Sequence, residues 1–107
     1  MVTLLLVLAF DQTPQPDPAV WYRQATACMG SALAAGPREG EPLPDTFDED
    51  ALVWGLVMNS VGPSAGRPTE ADQAADADAA EAFFRQVREL RPEAFEAHRA
   101  WCRAIRP

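Results

Sequence analysis

Cys28 and Cys102 are the two cysteines of this chain, and each falls in the middle of an apolar stripe at helical spacing. Two cysteines allow a single intramolecular pairing, and if both face the core that pairing ties the first helix to the last. In an oxidising compartment the simplest reading is a disulfide; in a reducing one it is two inert core thiols. A bridge closing a loop of roughly 75 residues contributes about 4 kcal/mol in the chain-entropy model. A redox-active pair is disfavoured, since nothing resembles Cys-x-x-Cys.

Proline and glycine divide the rest into helical segments. Asp17-Pro18 opens the first: aspartate accepts from free backbone N–H groups, and proline lacks a donor where none is needed. The stripe Trp21, Ala25, Cys28, Met29, Ala32 follows. Gly36-Pro37 is expected to close it through a left-handed glycine. Residues 37–45 read as a loop. Thr46 to Glu49 form a capping box. Ala51 to Met58 is apolar on every side, which predicts a central, buried helix. Its valines, Trp54 and Gly55 would also suit a buried strand, and the capping box decides for helix.

Gly62 to Pro68 form a second loop, after which Thr69 caps a third helix with Asp72 completing the box. The alanine-rich first half of that helix offers propensity without bulk and is expected at the rim. Phe83, Phe84, Val87 and Leu90 are expected to anchor its second half, and Glu81–Arg85 is a pair oriented for the i,i+4 interaction. Arg91-Pro92 interrupts the helix. A fourth runs from Pro92 to about Ile105, with Ala94, Phe95, His98, Trp101, Cys102 and Ile105 on one face and Glu96, Arg99 and Arg103 on the other. Trp21, Trp54 and Trp101 read as packing residues of three helices. Residues 17–107 thus predict an all-α, small four-helix bundle-like domain with its first and last helices cross-linked.

Ahead of it, residues 1–9 carry a short apolar run that reads as a truncated export signal, with Val7-Leu8-Ala9 at cleavage-site spacing. The positively charged leader of such a signal is not in the sequence, and an upstream start would supply it. The alternative is an apolar N-terminal segment packed on the core. Residues 10–16 form a Pro-rich tail. The run is far shorter than a membrane span.

The net charge of −7 disfavours nucleic acid and anionic lipid as partners. It is unevenly placed: residues 38–81 carry eleven acids against two arginines, and residues 82–107 carry six arginines against three glutamates. Two faces that attract each other within the fold account for this, as does a docking site for a basic partner.

Few residues carry a recognisable chemistry. His98 lies one helical turn before Cys102, and with Cys28 the three make a candidate metal set that a carboxylate or water would have to complete. On an apolar face, the imidazole reads more simply as a core side chain. A Cys–His nucleophilic pair lacks an orienting third group. Ser31 and Ser60 lie in no nucleophile motif, the glycines form no phosphate loop, and the acids match no calcium loop. No catalytic or cofactor-binding residue is assigned, and no cofactor is expected. The expectation is a small exported, periplasmic or extracellular protein without enzymatic activity, binding or assisting another protein in a chaperone-like role. The alternatives are an intracellular adaptor domain with free thiols, and a metal-binding module built on Cys28, His98 and Cys102.

Overall fold

The computed structural model of the chain describes residues 17–37, 40–42 and 47–107, with backbone alone at Phe47 and Asp48. The run read as an export signal, the Pro-rich tail and the cap expected at Thr46 lie outside the described residues, as does most of the first loop. Among the described residues there are four α-helices: α1, Pro18–Ala34; α2, Phe47–Val61; α3, Glu70–Leu90; and α4, Pro92–Ile105. A short 3₁₀ turn, Pro63–Ala65, sits between α2 and α3. No strand occurs among the described residues, so the 51–58 stretch is helix.

Local chemistry sets the boundaries. The Asp17 carboxylate accepts from Ala19 N at 2.9 Å, and the Thr69 hydroxyl accepts from Asp72 N at 3.0 Å. Each such cap contributes about 1 kcal/mol. The 3₁₀ turn closes at Gly66, whose φ of 78° only glycine adopts without strain. Arg91, at the non-helical angles φ −141° and ψ 68° ahead of Pro92, separates α3 from α4.

The end of α1 differs from expectation. Gly36 is not left-handed; Ala35 ends the helix in an ordinary right-handed conformation. The last carbonyls are met by Gly36 N, which donates to Leu33 O at 3.0 Å, and by arginines of α3. Arg85 Nη2 donates to Leu33 O at 3.3 Å, and Arg88 Nη1 donates to Ala34 O and Gly36 O at 2.9 and 3.2 Å. Tertiary donors join a local turn in place of the left-handed glycine cap.

Helix α1 lies at the centre, against the other three. Its closest partner is α3, whose alanine-rich half lies largely at the rim as expected, with Ala71, Ala74, Ala75 and Ala79 exposed, while Ala77 is buried and Ala80 half-buried. A Cβ placed on Gly30 would collide with the Cβ and backbone of Ala80, so the pair of small residues sets the approach of the two helices. The main core gathers Tyr22, Ala25, Cys28, Trp54, Met58, Ala77 and Cys102. A smaller cluster joins Ala34, Phe84 and Phe95. Cys28 and Cys102 form a disulfide between α1 and α4, their Cα atoms 5.6 Å apart.

Three further expectations are corrected. Helix α2 is not buried all round: Trp54 and Met58 face the core while Leu52 and Leu56 are exposed. In α3, Phe84 is buried and Val87 packs on it, but Phe83 and Leu90 face outward. Trp101 is 43% exposed, whereas Trp54 is buried and Trp21 packs edge-on against it at 5.6 Å. In each case α1 already occupies the interior, and an outer helix has only one face to bury.

Candidate functional site

Helices α1 and α3 leave an open groove of about 680 Å³ between them, walled by Ala19, Ala27, Ala79, Ala80, Phe83 and Phe84. The small side chains create it, since alanines on both walls keep the floor wide and apolar. Phe83 stands at its edge, 59% exposed, its ring perpendicular to that of Phe84 at 5.1 Å.

A polar cluster lines one part of the groove. Asp76 of α3 accepts from Tyr22 Oη of α1 at 2.6 Å and from Arg67 Nε and Nη2 at 2.9 and 3.0 Å. Arg67 itself is held by Gln73 Nε2, which donates to its carbonyl at 3.0 Å. The Arg67 guanidinium holds the Asp76 carboxyl below its usual range, aided by the Tyr22 hydroxyl. Burial and the neighbouring Asp76 carboxylate push the Tyr22 phenol up to about 12. Asp76 is thus ionised and Tyr22 protonated across the physiological range. The cluster positions a fixed charge pair but offers no proton to exchange near neutrality.

The second arrangement centres on Asp50 of α2, which is 2% exposed. One oxygen accepts from Arg99 Nη2 at 3.0 Å and Arg103 Nε at 3.4 Å, the other from Arg106 Nη1 at 2.8 Å. Arg99, expected on the solvent face of α4, is 4% exposed. Its other nitrogen, Nη1, is buried without a hydrogen-bond partner. Burial lowers the Arg99 pKa from its ordinary value, against the pull of Asp50. The segregation of acids and arginines along the sequence was the available signal for this contact; the face of α4 that makes it was not legible.

The third arrangement contains the predicted metal candidates. The Sγ atoms of Cys28 and Cys102 and a ring nitrogen of His98 lie within 4.8 Å of one another. Both ring nitrogens approach Cys102 Sγ, at 3.7 and 3.8 Å, and the imidazole stacks on Phe84 at 4.4 Å. Burial, and then the charge of Arg99, lower the His98 pKa. All three candidates come together, with the sulfurs joined to each other. Ser31 is also there, its Oγ 4.0 Å from Cys102 Sγ and hydrogen-bonded to Cys28 O at 3.2 Å. It is fixed in the core and has no histidine partner among its contacts.

No helix among the described residues is long and apolar enough to cross a membrane. Comparisons with protein-family models, with curated proteins and with solved structures find no match to this chain.

Proposed function

We propose that this is a non-enzymatic, exported binding protein whose α1–α3 groove takes the apolar face of an amphipathic segment of another protein in a chaperone-like role. The groove carries the reading: it is apolar, open, and flanked by an exposed phenylalanine on a single small domain. Charge does not name the occupant: the charged groups on the lining are Arg23, Arg67 and Asp76, and Asp76 is already paired with Arg67, so the apolar walls supply the recognition. The disulfide favours an oxidising compartment, in keeping with an export signal at residues 1–9.

A labelled leucine-rich amphipathic peptide tests the groove, with a peptide of the same composition in scrambled order as control. The amphipathic peptide should bind with an affinity that does not fall as salt rises, because apolar contact rather than charge holds it. Ala79→Arg, at an exposed position on the groove wall, should abolish binding while leaving the helical signal intact. Equal binding of the two peptides, or indifference to Ala79→Arg, would overturn the assignment. The export half is read from the intact mass of protein taken from its host, which reports cleavage near Ala9 and the two hydrogens lost to the disulfide.

A further inference from the structure

The sulfur–imidazole cluster lies behind Phe84 of the groove wall, on which His98 stacks, and does not depend on the function proposed for the groove. Its three potential ligands are supplied by α1 and α4, and the bridge is not all that holds those helices together. Phe95 of α4 packs with Ala34 of α1 and Phe84, and Asp50 binds Arg99, Arg103 and Arg106 along and beyond α4. The three ligand atoms therefore remain neighbours when the sulfur–sulfur bond opens. We propose that, once the Cys28–Cys102 disulfide is reduced, the cluster binds a cuprous ion through Cys28 Sγ, Cys102 Sγ and one ring nitrogen of His98.

The donor set selects the metal. Two thiolates and an imidazole are soft-to-borderline ligands, which suit a cuprous ion. A structural zinc site closes with four protein ligands, and this cluster has three. Cys28 and Cys102 are almost fully buried, so water is a poor source of a fourth. The neighbouring Ser31 hydroxyl is a hard, neutral oxygen already donating to Cys28 O. Three-coordinate binding is ordinary for a cuprous ion, and His98 needs only side-chain adjustment to direct either nitrogen at the metal.

The chemistry balances with one named co-reactant. A dithiol reductant transfers two electrons and two protons to the bridge, opening it to two thiols while its own sulfurs join. The cuprous ion then displaces one proton from each thiol to solvent and accepts a lone pair from the neutral imidazole. No electron moves in the binding step. The disulfide is thus the closed form of the site, and reduction is the condition for loading it.

The test uses the full chain, reduced and then freed of reductant under nitrogen, and titrated with cuprous ion in competition with bathocuproine disulfonate. One equivalent should be withheld from the competitor. The oxidised protein and the C28S/C102S variant should withhold none, and His98→Ala should weaken binding by an order of magnitude or more. Zinc under the same conditions should bind less tightly than the cuprous ion. Circular dichroism accompanies each titration: the reduced chain should stay helical, or recover its helical signal as the ion is added. No retention against the competitor overturns the proposal, as do equal binding by the oxidised protein or the double-serine variant, unchanged affinity in a folded His98→Ala protein, and tighter zinc.

Discussion

Asp50 accepts from three arginines, and that asymmetry predicts which partner the fold can lose. Asp50→Asn leaves three guanidiniums around a neutral amide, one of them buried, and should destabilise the domain by about 3–5 kcal/mol. Arg99→Met should cost clearly less, because Asp50 keeps Arg106 and Arg103 and the orphaned Nη1 is removed. Chemical denaturation of the two variants checks the order; an equal or reversed loss contradicts it. His98 gives a second test at this scale. Its folded pKa lies below the ordinary 6.5, so the unfolded chain binds the proton first. Its contribution to stability is complete above pH 6.5 and is lost as pH falls through the folded value. The melting temperature should decline on acidification from neutrality, and His98→Gln should flatten that part of the profile. An unchanged slope in the variant would place the titration elsewhere. The sequence placed His98 beside Cys102 correctly, because four residues make one turn. It misplaced Arg99, because a helical wheel sorts residue types without knowing which acid the polar face will meet.

The helix pairing turns on two glycines whose replacement by alanine should have opposite signs. A methyl at Gly55 meets only the Met29 side chain at ordinary contact distance, 3.6 Å, so Gly55→Ala should gain about 0.5–1 kcal/mol from helix propensity. At Gly30 the same methyl runs into Ala80, backbone included. Gly30→Ala should cost about 1–3 kcal/mol as α1 and α3 separate, despite the identical gain in propensity. Thermal melts of the two variants decide, and stabilisation by both would show that the approach is not tight. The same contact shows that the alanine-rich stretch, largely exposed as its low bulk suggested, also makes a close crossing that the sequence did not reveal. Low bulk is compatible with the rim of a bundle and also with its closest crossing, and only the partner helix distinguishes them. Caps were more legible: Asp17 and Thr69 act within three residues of themselves, so local sequence contains the whole interaction. The end of α1 was not, since its carbonyls depend on Arg85 and Arg88, more than fifty residues away.

For the whole molecule, the bundle and its cross-link were legible because four apolar stripes bounded by breakers leave few arrangements, and two cysteines leave one pairing. Which helix would lie at the centre was not, and the sequence favoured the uniformly apolar α2 over the small-residue α1. That distinction bears on stability. A helical domain within a chain of 107 residues buries a modest core, and here that core is divided into a larger and a smaller cluster. The disulfide spans 74 positions of the sequence and joins the central helix to the last one. Replacing both cysteines by serine should therefore lower stability by about 2–5 kcal/mol, chiefly by freeing the unfolded chain. Native helical content should be retained, because the Asp50 arginines and the Phe84–Phe95 cluster still hold α4. Denaturant titrations of the parent under oxidising conditions and of the double-serine variant measure the difference. A variant as stable as the bridged parent would make the bond incidental to the fold. A variant whose α4 melts separately, seen as a second transition, would make it the main tie between that helix and the rest.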